Sequence, residues 1–548
     1  MIMKNGKQIG FIYKNGKKID KIIRHGKVYF EQGFVREKTD TTLPINFNGI
    51  GKDLKDYKIY GNTIQNGEPT PDASVEMISC GDRTKNLFDI NEYSNAILRG
   101  GGYAVDFTKE NDTTLKILNK ISQVNNFCGI PIPNSKNLLG KTITASVQVE
   151  LNNVDNTKMQ FFFLSGSAVT NTIGTSKSIT SNGTYQLTVT IPSSIPSGST
   201  RIGLVIYGSN TAQPVNSYVL WENIQIEENS TATPYEPYGY KIPFNVRSDN
   251  LFDKDNMTLN EYIRNDGTTL STDYWDISNY IELEPNKTYT YNGLTSIGTS
   301  SVQSAYYDIN KNFISTFKQA VGTTIITTPS NAYYVRFSIN KGANDKNTFQ
   351  FKQGSTAPSK YIPYYNQTTN IYLDEPLRRI DGYSDYIDFK NGKVVRQLGE
   401  VILDENSTLS VIEIITSNNK FIWRYTTALD IIGSGARSNI LSNNYIGDTT
   451  VYGANNKIGA YVNSNGITNF ATLLSTVGAT TNSTITQVLN LLKTWLSLHH
   501  TELIYPLATS TEESITLPNI PTIKGNNTLN IETEIAPSQV YIKYRSDN

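Results

Sequence analysis

Apolar and polar residues alternate along most of this chain with a period of two, the spacing of a strand with one face buried. Residues 142–149 read Thr-Ile-Thr-Ala-Ser-Val-Gln-Val, which sets Ile143, Ala145, Val147 and Val149 on one face. The same signal predicts strands at 160–164, 185–191, 201–207 and 219–226, and again at 287–291, 302–307, 324–327 and 333–339. Ser, Thr, Asn, Gly and Pro fill the gaps between them. Many short strands punctuated this way predict sheets packed face to face as sandwiches, a mainly β, multidomain fold. One segment breaks the pattern. Over 484–499, Ile485, Val488, Leu489, Leu492 and Leu496 recur at helical spacing, and Thr484 with Gln487 is placed as a capping box.

The opening repeats Lys4-Asn5-Gly6-Lys7, Lys14-Asn15-Gly16-Lys17 and Arg24-His25-Gly26-Lys27 at intervals of ten residues. Asn-Gly tolerates positive φ at both turn positions, so a meander of antiparallel hairpins is expected. So small a sheet is not stable alone, and it suits an arm that anchors the chain or edges a neighbouring sheet. Pro69 and Pro71 mark a joint, because each fixes its own φ and restricts the residue before it.

Two longer units share both ends. One opens with Asn86-Leu87-Phe88-Asp89 and closes with Asn223-Ile224-Gln225-Ile226-Glu227 and Pro237-Tyr238. The other opens with Asn250-Leu251-Phe252-Asp253 and closes with Thr348-Phe349-Gln350-Phe351-Lys352 and Pro363-Tyr364. Matching ends around interiors of unequal length indicate a duplicated domain whose loops were resized. The expected organisation is an arm at 1–34, a small β module and joint at 35–82, sandwiches at 83–240 and 246–365, a β-rich structural domain at 366–482, the helix at 483–500, and a small β module at 501–548.

Composition narrows the function. At 548 residues the chain needs several cores. Its 49 basic and 49 acidic side chains cancel, leaving no field to draw in nucleic acid. The 34 tyrosines against 5 methionines favour sheets, where a phenol can sit half in water. The start, Met1-Ile2-Met3-Lys4, lacks the apolar run of a signal peptide, and no later stretch reaches the length of a membrane span. Synthesis in the cytoplasm without a signal peptide, and no membrane insertion, are expected. Cys80 and Cys128 read as isolated buried thiols.

Catalytic chemistry finds little support. His25 falls in a turn, and His499-His500 ends the helix, where a histidine favours the exposed carbonyls. No zinc spacing, phosphate loop or nucleophile elbow is present, so no metal or cofactor site is expected. A structural calcium stays open, with Asp381, Asp385 and Asp388 as oxygen donors. Glycan hydrolysis needs only two carboxylates, and Asp273 with Asp276 or Glu282 with Glu284 would supply a pair, but so many acids make such pairs commonplace. Glycan binding is easier to support, since sugar faces lie on aromatic rings and sugar edges meet amides and carboxylates. The candidates are Trp221, Trp275, Tyr306, Tyr307, Tyr333 and Tyr334. Trp221, at a strand end, is read chiefly as core. One ring of each tyrosine pair should reach a surface or subunit contact, because neighbours on a strand face opposite sides. Trp423 and Trp495 read as packing residues.

Several segments resemble a known family. Asp56-Tyr57-Lys58-Ile59-Tyr60-Gly61-Asn62-Thr63, continued by Asn66-Gly67-Glu68-Pro69-Thr70-Pro71-Asp72, resembles a signature of tail and baseplate proteins from phages and prophages of Firmicutes. Arg378-Arg379-Ile380-Asp381-Gly382-Tyr383-Ser384-Asp385 and Leu517-Pro518-Asn519-Ile520-Pro521-Thr522-Ile523-Lys524-Gly525 resemble the same family. The run from Trp221 to Glu228 with the exit to Tyr238 is similar to the closing strand of carbohydrate-binding jelly-roll domains. The resemblance implies a virion protein of the tail or baseplate, with jelly-roll sandwiches on a structural base. Its implied partners are other tail proteins and host cell-wall polysaccharide, and it implies a homo-oligomer, with three-fold assembly common in such appendages. Three readings stay open: attachment to host glycans through the sandwiches, a purely structural adaptor or spacer, and a glycan-degrading tail enzyme.

Overall fold

The computed structural model describes residues 54–545 apart from 99–101, 167, 299–301, 358–359, 381, 431–438, 451–457, 464, 519–526, 532, 534 and 536, together with eight strands between residues 3 and 47. Strands make up 48% of the chain and helical turns 8%, so the protein is mostly β and multidomain. It divides into two compact units, one of residues 81–241 and 372–376, the other of 1–80, 242–371 and 377–548.

The first unit holds a sandwich of two five-stranded antiparallel sheets. One sheet runs in the order Val105–Asn111, Thr114–Asn119, Tyr218–Glu227, Thr142–Asn152, Gly183–Thr190. The other runs Ile97–Leu98, Asn126–Pro131, Arg201–Ser209, Thr157–Leu164, Val169–Ile179. Ile143, Ala145, Val147 and Val149 all point into the core between the sheets, as their alternation predicts, and meet Met159, Phe161 and Phe163 from the opposite sheet. Val169–Ile179 gave no signal in the sequence because it is an exposed edge strand, with only Ile173 and Ile179 fully turned inward.

The second sandwich, in the other unit, is built from shorter pieces. Its sheets are Met257–Thr258 with Trp275–Ser278 and Ser338–Asn340; Ile281–Glu282 with Tyr334–Arg336, Ser304–Tyr307 and Phe313–Phe317; Thr324–Thr327 with Thr288–Asn292 and Gln350–Gln353; and the hairpin Glu261–Ile263 with Thr269–Ser271. The single strand expected over 333–339 is two. Phe337 drops into the core and carries the chain from one sheet to the next.

Both sandwiches are closed by the same clasp. Asn86 Oδ1 accepts from the amides of Phe88 (2.9 Å) and Ile226 (3.0 Å), while its Nδ2 donates to the carbonyls of Ile224 and Glu236. Asn250 Oδ1 accepts from Phe252 (3.0 Å) and Phe351 (3.1 Å), and its Nδ2 donates to the Ile362 carbonyl. Leu87 and Leu251 each donate a backbone bond to the closing strand at 2.7 Å, Phe88 and Phe252 fill the cores, and Asp89 and Asp253 cap the following turns. Each residue of the shared Asn-Leu-Phe-Asp opening thus has a physical reason.

Segments read separately in the sequence join in one nine-stranded sheet, ordered Leu441–Ser442, Thr501–Ser514, Lys393–Leu403, Tyr386–Asp388, Leu54–Tyr60, Gln539–Arg545, Phe34–Thr39, Lys27–Glu31, Lys21–Arg24. At the N-terminus the pairings Lys4↔Lys7, Lys14↔Lys17 and Arg24↔Lys27 leave two-residue loops at the predicted turns, whose own residues, His25 among them, lie outside the described residues. A four-stranded sheet packs with the helix Ile485–Leu496, whose capping box forms as predicted. Its buried stripe is Val488, Leu492, Trp495 and Leu496, whereas Ile485 in the first turn stays 48% exposed. Trp423 stacks on Phe470 at 4.0 Å, and the His499 ring bonds the Trp495 carbonyl at the helix end. Cys80 and Cys128 are buried and form no disulfide with each other.

Candidate functional site

The strand Ser304–Tyr307 lies between Tyr334–Arg336 and Phe313–Phe317. Register sets Tyr306 opposite Val335 and Tyr307 opposite Tyr334. Neighbours on a strand face opposite ways. Tyr306 therefore enters the aromatic core of the second sandwich, while Tyr307 and Tyr334 emerge together on its outer face. There Tyr280 meets both rings edge-on, with centroids 4.9 Å from Tyr307 and 5.9 Å from Tyr334 and planes at 75° and 83°. Such edge-to-face contacts favour a fixed arrangement of the three rings.

Two cations lie over this cluster. Lys311 Nζ is 5.1 Å from the Tyr280 centroid and 5.4 Å from that of Tyr334, and Arg336 Cζ is 4.8 Å from Tyr280. Lys311 sits in a left-handed turn at φ +63°. Asp308 closes the turn by accepting from the Asn310 and Asn312 amides and the Asn312 side chain, and the bonds from Asn312 above all hold its carboxyl below the usual range. Arg336 donates to the Ser278 carbonyl (2.9 Å) and the Thr258 hydroxyl (2.8 Å). Burial pushes the Tyr307 hydroxyl up, against the pull of Arg336, and pushes Tyr306 up to about 12.

Beside Tyr280 opens a cleft of 220 Å³ lined by Arg247, Asp253, Asn256, Asn279, Glu282 and Asn366 among others. A half-buried ring next to amides, carboxylates and a guanidinium offers both surfaces that a sugar needs, a flat apolar one and a polar rim.

The six candidate rings fare differently. Tyr307 and Tyr334 share this face. Tyr333 is 39% exposed and faces away from it, though its backbone bonds Tyr307 and Leu283. Tyr306 is buried, which corrects the expectation that one ring of the 306–307 pair reaches a surface: Tyr280 and Tyr334 pack over Tyr307 and leave it 5% exposed. Trp275 is also buried, and Trp221 lies wholly inside the first sandwich. Neither can offer a ring to a ligand. Tyr280, Lys311 and Arg336 were missed in the sequence, because nothing local marks residues so far apart as neighbours.

The first sandwich carries a smaller counterpart on the outer face of one sheet. Phe127 and Tyr207 lie 5.7 Å apart, with Lys158 Nζ 4.5 Å over Tyr207. Val169 packs across this face toward Gly129, where a Cβ would come within 3.0 Å of it, and so narrows it.

Charged groups are buried in the nine-stranded sheet. Asp385 accepts from the amides of Arg378, Gln397 and Leu398 and lies 3.6 Å from Arg396, while Arg378 bonds Glu400. Burial, then the neighbouring Glu400 carboxyl, pushes Glu502 up to about 8. Carboxyls that share a hydrogen bond are too close to flank a glycosidic bond, which needs about 5–9.5 Å. Of the pairs weighed in the sequence, Glu282 and Glu284 are exposed, and Asp276 is buried against the Asn260 amide and Lys341. Asp388 accepts from Lys390, Asn391 and Lys58, Asp381 lies outside the described residues, and among those described no cluster of three or more metal-ligating side chains forms.

No protein-family model matches the chain, and no curated protein matches it. Solved structures that align with parts of it include the tripod from the baseplate of bacteriophage Tuc2009, at 13% identity over 50% of this chain and 98% of that one, TM-score 0.20. The CBM22-1 xylan-binding domain from Paenibacillus barcinonensis Xyn10C aligns at 16% identity over 28% of this chain and 98% of that one, TM-score 0.19. The tandem CBM22-1-CBM22-2 domain of the same enzyme aligns at 11% identity over 50% and 97%, TM-score 0.19. Scores this low describe local likeness among β-rich domains and carry no argument about function.

Proposed function

We propose that the chain is a tail or baseplate protein of a phage of Gram-positive bacteria that attaches to host-surface glycans through the outer face of its second sandwich. The observation that carries this reading is the cluster of Tyr280, Tyr307 and Tyr334 beside a polar cleft. The segments at 56–72, 378–385 and 517–525 supply the tail and baseplate resemblance. The reading is of a binding protein, with other tail proteins as further partners and assembly as a homo-oligomer.

One observation favours an adaptor role as well. The hairpins Met3–Lys4 with Lys7–Gln8 and Tyr13–Lys14 with Lys17–Lys18 pair only within themselves among the described residues, so their edges can receive strands of a partner.

The test is binding of labelled, folded protein to intact host cells before and after removal of wall polysaccharide. Saturable binding lost on stripping, and lost again in Tyr280→Ala, supports attachment. Absence of binding leaves the adaptor. Release of reducing ends from the bound polysaccharide would move the protein into the enzyme class.

A further inference from the structure

We infer that the ligand group received above Tyr280 is anionic, a phosphate or carboxylate carried on a saccharide, with Lys311 and Arg336 as its contacts. This rests on the glycan-binding reading of the same face and adds the chemistry of the group recognised.

The argument is one of uncompensated charge. Lys311 and Arg336 both lie over one ring and so are no more than about 10 Å apart, within a Debye length of each other in ordinary buffer. Neither is neutralised. Arg336 bonds the Ser278 carbonyl, the Thr258 hydroxyl and the Tyr307 phenol, none of them a carboxylate, and the Lys311 ammonium has no carboxylate partner among the described residues. Arg247, at the cleft, likewise forms no ion pair among them. Lys120 and Lys141, by contrast, pair with Asp106 and Glu228. The backbone at Lys311 is set by a left-handed turn that Asp308 closes, and from it the ammonium reaches over the Tyr280 and Tyr334 rings.

Neither acid of the cleft forms an ion pair with Lys311 or Arg336 among the described residues. Asp253 accepts from the Asp255 amide, and Glu282 lies opposite Tyr334 in register, along the wall where sugar hydroxyls would donate. An oxyanion placed between Lys311 and Arg336 gains charge-assisted hydrogen bonds from both, and relieves their mutual repulsion. The rest of the ring then rests on Tyr280 and Tyr334. Neutral sugar would gain the stacking alone.

The experiment compares three polymers on the full chain by calorimetric titration: polygalacturonate, its fully methyl-esterified form, and poly(glycerol phosphate). The expected result is binding of at least one acidic polymer, weakened by salt, with the ester about tenfold weaker and Lys311→Asn costing a similar factor. Asn suits the test because it tolerates the left-handed backbone at this position. Ester and acid binding equally, Lys311→Asn binding like the parent, or no binding of either acidic polymer overturns the inference. In each of those cases capture by intact cells that disappears in Tyr280→Ala keeps the glycan reading, and its absence sinks that reading too.

Discussion

The two sandwiches begin with the same four residues and use them for the same bonds, yet their interiors are filled by different means. The first packs long strands of up to 11 residues around a largely aliphatic core, with Ile117, Ile130, Ile143, Leu204 and Ile206 at its centre. The second has strands of 5 residues or fewer and fills its core with Phe252, Tyr289, Tyr291, Tyr306, Phe337, Phe349 and Phe351. Large rings let short strands bury enough area per residue, and edge-to-face contacts set their order. Short strands also leave more turns, and it is from turns that Tyr280 and Lys311 reach the outer face. The comparison teaches that a fixed clasp can hold a sandwich shut while the interior and the outer face are rebuilt around it.

The largest expected effect tests the clasp. Asn86→Ala and Asn250→Ala each strand several buried backbone groups, and each should destabilise its own sandwich by roughly 3–5 kcal/mol. Denaturant unfolding followed by hydrogen exchange reads which sandwich opens. Losses differing by more than about 2 kcal/mol would break the equivalence of the two clasps.

Next comes the filling of the cores. Phe337 lies against the rings of Tyr291, Phe317, Phe349 and Phe351, whereas Phe161 has no ring contact among the described residues. Phe337→Leu should cost about 2–3 kcal/mol and Phe161→Leu about 1 kcal/mol, measured by chemical denaturation. Equal costs would mean that ring order adds nothing to volume.

The outer faces separate in binding. Tyr280→Ala should weaken capture by host cells about tenfold, while Phe127→Ala on the narrowed face of the first sandwich leaves it unchanged. Loss in Phe127→Ala alone would move the site to the other sandwich.

The smallest effect is in pH. In the first sandwich, burial works to raise Glu227, but bonds from the Thr233 amide and hydroxyl and from Gln225, with Lys85 nearby, hold its carboxyl below the usual 4.5. A carboxyl lowered by folding stabilises above its unfolded value, and that contribution is lost as pH falls through the lower folded value. Glu502 has the opposite sign. Raised from 4.5 to about 8, its contribution is complete below 4.5 and is lost as pH climbs through about 8. Acid should therefore loosen the first sandwich, and melting between pH 6 and pH 9 should lower the transition of the other unit by a few degrees, less so in Glu502→Gln. A fall that Glu502→Gln does not reduce would assign it to other groups.

Sequence alone determined what depends on neighbours along the chain. Alternation put Ile143 to Val149 on one buried face, Lys-Asn-Gly-Lys set the hairpin registers, Thr484 and Gln487 capped the helix, and Asn-Leu-Phe-Asp marked both sandwiches. Each of these follows from backbone geometry within a few residues. Tertiary structure alone decided which outer faces are covered. Periodicity places Tyr306 and Tyr307 on opposite sides but does not say that Tyr280 and Tyr334 will cover Tyr307, or that Trp275 is buried. It likewise does not say that Leu54–Tyr60 will pair with Tyr386–Asp388 and Gln539–Arg545. Strand pairing and the covering of a face join residues distant in the chain, and each is settled by which arrangement leaves the fewest apolar surfaces and backbone groups unpaired.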